Sequence, residues 1–381
     1  MDPKDFVAPA AGRVIRAESG YWAFVPSSLP PAIEWDTELV LALSRADSAL
    51  SRLSGVGSQL PNSHLLIDPY ARREAVLSSR IEGTQASLSD LLLDEIAPER
   101  VEASRDDVRE VRNYVAALEH GIKRLSGLPL SLRLIRETHE ILMAGVRGEH
   151  ATPGEFRRSQ NWIGRPGSTI DTAAYVPPPP DEMNDALSEW ERFLHDRESL
   201  PDLIQCALVH EQFEAIHPFL DGNGRIGRLL ITLFLIERQR LSQPLLYLSA
   251  YFEANKSDYY DALQRVRTHA DWRGWLLFFL AGVAQVASRA AEQAGELAAM
   301  RERYRALVGD KAKPLALVDE VFRSPIVNAA SAIRRLGVSD PTARAAISAL
   351  EAVGLLEEYT GRSWGRVWIA RPVMEVLERP L

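Results

Sequence analysis

From Thr37 to about Leu307 the apolar residues of this chain recur at three- and four-residue steps, the spacing that gathers side chains on one face of a helix. The runs include "TELVLALSRADSALSRL", with Thr37 as its expected N-cap, and "DPYARREAVLSSRIEG", expected to start at Asp68-Pro69 and stop at Gly83. "SRDDVREVRNYVAALEHGIKRL", "SLRLIRETHEILMAG", "PDLIQCALVHEQFEAIH" and "RIGRLLITLFLIERQRL" follow, and a long helix is expected from about Trp272 to Leu307. A mainly α fold is the only class this rhythm allows. Two segments depart from it. Residues 154–180 carry alternation, turn formers and a four-proline end, the marks of a short hairpin with a loop. After an expected linker at Lys311 to Pro314, the tail reads as helix, turn and helix, with Asp340 as N-cap before Pro341. Two short β-like runs joined at "TGRSWGR" then complete a winged helix-turn-helix pattern.

Three regions follow: 1–110, with a Pro- and Gly-rich arm over 1–35 and a helix at about 68–83; a core over 111–308; and a tail over 315–381. Apolar content of 46% and charged content of 25% are ordinary for a soluble globular protein. The net charge of −8 argues against a chain that coats nucleic acid along its whole surface. From Lys311 to Leu381 the chain holds ten Lys/Arg against eight Asp/Glu, so this stretch is about +2 and the remainder about −10. The lone Cys206, inside an apolar run, reads as a buried structural thiol. The N-terminus lacks a secretory h-region, and the longest apolar stretch, "WLLFFLAGVAQVA", is too short to span a bilayer, so a cytoplasmic protein without membrane contact is expected.

The densest chemistry lies in "HPFLDGNGRIGR", residues 217–228. Pro218 ends the preceding helix, the glycines let backbone N–H groups approach a ligand, and a new helix expected at Arg225 points its positive end back at the loop. Arg225 and Arg228, three apart, share a helical face and can clamp a polyphosphate. Asp221 is an oxygen ligand suited to Mg²⁺ beside phosphates, and His217 can accept a hydroxyl proton at neutral pH. Each element alone reads as a polar turn. Known alternatives fail by rule: an EF-hand lacks its acids at 217, 219 and 228, a Walker A loop lacks Gly-Lys-Ser/Thr, and "HEQFEAIH" lacks the second His of a zinc HExxH.

The twelve residues match every fixed position of the HPFxDGNGRxxR signature and so resemble the Fic (Fic/Doc) family. "LPP", "REAVLSSRIEGT", "NKSDYYDAL" and "DWRGWLLFFL" extend the resemblance from about Pro30 to about Ala290. It implies a Fic-type helical core with a hairpin flap at 154–180, an N-terminal inhibitory helix, and a nucleotidyltransferase that moves AMP from ATP to Ser, Thr or Tyr of proteins, self-modification included. By that resemblance His217 is the base and Asp221 holds Mg²⁺. ATP is held by Gly222, Asn223, Gly224, Arg225, Ile226, Gly227 and Arg228, with Asn255 near the adenine. Gly224, where phosphate-transferring relatives carry Lys, favours nucleotide transfer.

"SSRIEG" matches the family's (S/T)xxxE(G/N) motif at Ser78, Glu82 and Gly83. Read alone, Glu82 is a solvated residue at a helix end; read through the resemblance, it pairs with Arg228, occupies the γ-phosphate subsite and switches the enzyme off. Removal of AMP from targets by the same glutamate stays open. Target strands are expected to add to the flap near Tyr175 and Val176. Asn255 reads equally as a helix cap. Arg344, Arg362 and Arg366 can meet DNA phosphates, yet winged helices also bind protein or dimerise, so DNA and a homodimer both stay open. The competing class is an ATP-sensing DNA-binding regulator, against which His217 and Asp221 argue because a sensor needs neither.

Overall fold

Short polar side chains start the helices. Ser104 accepts from Asp107 N, Ser131 from Leu134 N and Asp271 from Gly274 N, while Ser87 with Asp90 and Asn328 with Ser331 form reciprocal capping boxes. The computed structural model describes residues 1–59, 64–146, 152–165, 167–361 and 364–380. An antiparallel hairpin of β1 (Gly12–Arg16) and β2 (Trp22–Pro26) precedes the helical body. Then come α1 (Thr37–Gln59), α2 (His64–Ile81), α3 (Leu88–Asp94), α4 (Arg105–Arg124), α5 (Leu132–Leu142), α6 (Pro180–Leu194) and α7 (Asp202–Ile216). They are followed by α8 (Asn223–Glu237), α9 (Ser249–Ala254), α10 (Lys256–His269) and α11 (Trp272–Val308).

At the centre, α7 is buried over nearly its whole length, its polar Gln205, His210, Glu211, Gln212 and Glu214 included. It packs against α6, α8 and α11, while α2, α4 and α5 close over α8. α11 is long and apolar enough to cross a bilayer by length and composition, so the thirteen-residue run underestimated it. Its apolar side is consumed by the fold: Trp275, Leu276, Phe279, Leu280 and Val283 are fully buried, and α1 lies along it.

Several boundaries differ from the sequence reading. α2 begins at His64, so Pro69 sits inside the helix rather than opening it. Asp36, not Thr37, caps α1 by accepting from Leu39 N at 2.8 Å. α8 starts at Asn223, two residues before Arg225. The linker shrinks, because α12 (Ala312–Arg323) already contains Pro314 near its start, where a missing N–H costs nothing. The tail continues with β3 (Ile326–Asn328), α13 (Ala329–Leu336), α14 (Asp340–Ala352), β4 (Glu357–Glu358), β5 (Val367–Ile369) and α15 (Arg371–Glu378). Ser339, without a side-chain cap bond, precedes α14, so Asp340 is its first residue. The three strands form an antiparallel sheet ordered β3-β5-β4.

The tail shares its core with the body. One continuous apolar cluster runs from Leu39 to Leu377, and α12 and α15 both lie against α2. Arg323 pairs with Asp68, Arg379 with Glu296, and Gln293 donates to Val376 O at 3.1 Å. Deleting residues 312–381 is therefore expected to lower the melting temperature of the remaining helices and raise dye binding to exposed apolar surface. A melting curve unchanged by the deletion would mean the tail is an independent unit.

Candidate functional site

Helix α7 stops where Pro218 cannot extend it, and His217 takes the left-handed conformation (φ 51°, ψ 60°) that a non-glycine residue rarely adopts. Neighbours hold it there. Arg157, buried within the flap, donates through Nε to His217 O at 3.0 Å and through Nη2 to Pro178 O at 2.5 Å. Burial lowers the Arg157 guanidinium to about 10, so it stays charged at neutral pH. Asn161 Nδ2 donates to Phe219 O at 2.7 Å. Asn223 closes the loop on itself, accepting from Phe219 N and donating to Phe219 O, both at 2.8 Å. His139 stacks on Phe219 at 3.7 Å between ring centroids. Its Nδ1 accepts from Gly154 N at 2.9 Å, which leaves Nε2–H to donate to Asp221 O at 3.0 Å. Burial pushes His139 down to about 4, so it serves as a neutral strut.

Above this loop opens a cavity of about 1030 Å³, lined by Glu82, His217, Asp221, Arg225, Arg228 and Tyr260 among others. The first intrahelical bond of α8 runs from Ile226 N to Gly222 O, so the N–H groups of Asn223, Gly224 and Arg225 lie ahead of the helical ladder at the cavity wall. Positive helix end and free amide donors form an anion cradle. The Arg225 side chain is 5% exposed, yet its Nε and Nη1 have no hydrogen-bond partner. Its nearest charges are Glu110 at 3.6 Å and Asp221 at 3.7 Å. A buried guanidinium with idle donors is a site built for an incoming acceptor. Burial drives His217 to about 3, so its imidazole is neutral at physiological pH.

Arg228, 1% exposed, has its Nε and Nη2 donors taken. Nε donates to Ser78 Oγ at 2.9 Å, while Nη2 donates to Ser78 O at 2.9 Å and to Glu82 Oε1 at 2.6 Å. Both chemical members of "SSRIEG" thus converge on the last arginine of the loop motif. Gly224 makes room, because a Cβ there would come within 2.3 Å of Glu82 Oε1. Lys256 Nζ donates to Ile81 O at 2.5 Å, a cation at the C-terminal end of α2. Burial works against the Glu82 carboxylate, but Arg228 outweighs it and holds the group below its ordinary range.

Not every expected residue joins the site. Ile226 is fully buried in the core, and Gly227 sits outside the cavity lining with its carbonyl 2.9 Å from His210 Nδ1. Asn255 also lies off the lining; its side chain donates back to Tyr251 O at 2.9 Å and so ties α9 to α10 without capping α10. The expected strand-addition point is already taken. Tyr175 exchanges both backbone bonds with Ile163, Val176 O accepts from Phe24 N at 2.9 Å, and both side chains are buried. The N-terminal arm is thus a hairpin that covers the edge at Val176. The flap is reduced to one bridged pair, and antiparallel geometry turns the backbone groups of Trp162 and Gly164 to its opposite side. In the tail, Arg344 pairs with Asp340 at 2.8 Å, Arg366 is exposed, and Arg362 lies outside the described residues. Arg157, His139 and Lys256 were missed; only the paired arginines in "GEFRRSQNW" gave any signal.

Asp221 fits Mg²⁺ chemistry. Its side chain is half-exposed at the cavity, and Mg²⁺ typically takes one or two carboxylates plus waters and phosphates. No group of three or more ligating side chains occurs among the described residues, so a zinc-type cage has no support there.

The Glu82–Arg228 pair gives a signed pH prediction. A carboxyl with a depressed folded pKa adds stability that is present above its unfolded value and lost as pH falls through the folded one. With Glu82 37% exposed, Glu82→Gln is expected to cost about 1–2 kcal/mol near neutral pH. That gap should close below pH ~4, as the carboxyl titrates from its ordinary value of about 4.3 downward. Urea unfolding of both proteins from neutral to acid pH measures it, and a pH-independent gap would contradict the pairing.

Comparison with known proteins agrees with this geometry. The family model described as Fic/DOC family N-terminal matches residues 40–123, and that described as Fic/DOC family matches residues 129–235. The chain is 32% identical over 136 residues to protein adenylyltransferase Fic of Drosophila yakuba, covering 35% of this chain and 25% of that protein. It is 30% identical over 151 residues to the Aedes aegypti protein of the same name, covering 39% and 27%. The chain therefore spans about a quarter of the length of these relatives. A solved structure of a Fic family protein from Desulfovibrio desulfuricans G20 shares the fold, with TM-score 0.59 at 20% identity, covering 90% of this chain and 98% of that one. Mainly helical, with the two matched regions joining α1 through α8 into one body around the 217–228 loop, the chain belongs to the Fic/DOC family.

Proposed function

We propose that the protein is a nucleotidyltransferase that moves AMP from ATP to a hydroxyl group of a protein and is held in check by Glu82. The observation that carries this is Arg225: a buried guanidinium with two donors that make no hydrogen bond, beside the open N-terminus of α8 and within the same cavity as His217. Polyphosphate is the ligand that uses all of these donors together. The name protein adenylyltransferase carried by the insect relatives supports the same reading.

In this mechanism the cradle and Arg225 fix the α- and β-phosphates, and Asp221 would hold Mg²⁺, which neutralises phosphate charge. Neutral His217 takes the proton of the acceptor hydroxyl; the acceptor oxygen bonds to the α-phosphorus while the bond to pyrophosphate breaks. Most of the rate gain comes from placement and charge stabilisation rather than covalent chemistry by the protein. Arg228 would receive the γ-phosphate, and Glu82 competes for it by occupying Nη2 at 2.6 Å. Hydroxyl targets are reached along the free flap edge at Trp162 and Gly164, with main-chain pairing and little sequence readout. The tail, read as a winged helix, offers a groove of about 470 Å³ lined by Arg344, Arg366, Trp364 and Trp368.

The test is incubation with α-labelled ATP and Mg²⁺ in a cell lysate and with the protein alone. Glu82→Gly is expected to label protein at least about tenfold more than wild type, and His217→Ala in that background to abolish labelling, since a general base contributes roughly 10²–10⁴-fold. A silent Glu82→Gly variant would sink the transferase reading. Binding of ATP without transfer would favour a nucleotide sensor.

A further inference from the structure

One carboxylate in the cavity wall has no part in the scheme above. Glu214 lies one turn before His217 on α7, with its side chain 8% exposed. Its Oε2 stands 3.9 Å from His217 Nδ1, and the same Nδ1 is 3.3 Å from the Glu214 backbone carbonyl. Oε1 has no hydrogen-bond partner. The carboxylate is seated over Gly227, where a Cβ would come within 2.3 Å of Oε1. Helix α8 therefore gives up a side chain at 227 to admit an acid that gains no stabilising bond. An isolated buried carboxylate oxygen weakens a fold, and an apolar side chain would fill the slot at lower cost. A functional reason for the acid is needed, and the imidazole of His217 stands 3.9 Å from its Oε2.

We propose that Glu214 is a positioning residue for His217: it keeps the ring proton on Nδ1, leaves the Nε2 lone pair for the acceptor hydroxyl, and offsets the imidazolium charge during transfer. This rests on the adenylyl-transfer reading. The proton inventory balances. The hydroxyl proton moves to Nε2, the acceptor oxygen joins the α-phosphorus, and pyrophosphate leaves with the electrons of the broken P–O bond. Nδ1 keeps its proton throughout, donated to the Glu214 carbonyl and shared with the carboxylate as the ring becomes positive. Burial, Arg267 and Arg157 disfavour an imidazolium at His217 while Glu82 favours it, so once Glu82 has left, the step needs another local anion. The charged and titratable groups that face Glu214 are Arg228 on α8, Glu82 in the turn after α2, Arg267, Tyr259 and Tyr260 on α10, and Glu211 with the imidazoles of His210 and His217 along and at the end of its own helix. Burial raises the Glu214 carboxyl to about 7, the same range in which the base must work.

The test uses the full chain in the Glu82→Gly background, comparing Glu214→Gln and Glu214→Asp with their parent. Transfer from α-labelled ATP is followed from pH 6 to 9, and His217 is watched by NMR of ¹³C,¹⁵N-labelled imidazole without ATP. Glu214→Gln is expected to lower kcat about tenfold or more while KM for ATP stays within about twofold, because the lost interaction forms mainly in the transition state. The kcat–pH profile should lose the inflection of the parent near neutral pH, and the Nδ1–H fraction of His217 should fall. Glu214→Asp should recover part of both. An unchanged kcat–pH profile with an unchanged His217 tautomer overturns the proposal, as does a KM increase at constant kcat. Should the Glu82→Gly parent itself transfer no label, the transferase reading fails. The NMR arm then decides Glu214 alone, and a tautomer insensitive to both substitutions rejects it.

Discussion

The buried guanidinium of Arg228 is the constraint around which the site is arranged. A cation taken out of water must find acceptors or destabilise the fold, and an ion pair made in the interior recovers that cost only with good geometry and further hydrogen bonds. Arg228 obtains both from α2 and the turn that ends it: the Ser78 hydroxyl, the Ser78 carbonyl and the Glu82 carboxylate. Those acceptors come 146 to 150 residues earlier in the chain, so one contact fixes the position of α2 against α8. Gly224 exists as glycine for the same reason, since any side chain would stand where Glu82 Oε1 does. A phosphate that displaced Glu82 would inherit a guanidinium whose desolvation has already been met by folding.

The loop between α7 and α8 shows how a strained residue is kept in place. The left-handed backbone at His217 would relax if its carbonyl were free, but Arg157 and Asn161 both donate to it. Four side chains from outside or within the loop, those of Arg157, Asn161, His139 and Asn223, satisfy its carbonyls at Ile216, His217, Phe219 and Asp221. On the cavity side the donors of Arg225, the amides that begin α8 and the Oε1 of Glu214 make no hydrogen bond. Satisfied loop carbonyls beneath and idle polar groups above distinguish a rigid binding surface from an ordinary turn.

Much of this was legible in the chain because the signals were local. Caps, glycines and three-residue spacing lie within one turn of the atoms they control, so the helices and the 217–228 loop could be read directly. What could not be read depended on distant partners. Nothing near Val176 reveals that Phe24, from a Pro-rich arm, donates to its carbonyl and closes the expected docking edge. Pro69 looked like a helix start because local rules put it there, whereas α2 runs on upstream to His64. Asn255 stood between capping and nucleotide contact on sequence grounds; its backbone and side-chain donations to Tyr251 O cap the end of α9 rather than the start of α10. Arg157 carried no motif, only a charge in a polar stretch, and its role appears only when the flap folds over the loop.

How Glu82 can leave Arg228 follows from what holds the rest of α2. Its middle is anchored through the buried Glu74, which accepts from Tyr114 on α4 and from Ser249 at the start of α9. Its outer face meets the tail, where Arg73 donates to Arg379 O at 2.7 Å and Asp68 pairs with Arg323. Moving the whole helix would break these contacts together and expose apolar surface shared with α12 and α15. The last turn is bound far more lightly. Glu82 N and Gly83 N make only three-residue bonds, to Ser79 O and Arg80 O, and Glu82 is the most exposed partner of Arg228. Ser78, fully buried, keeps two of the three bonds to the guanidinium when the glutamate swings out. Release is therefore cheapest as a local opening of residues 82 and 83, with α2 and the tail staying where they are and Arg228 left aimed at the cavity.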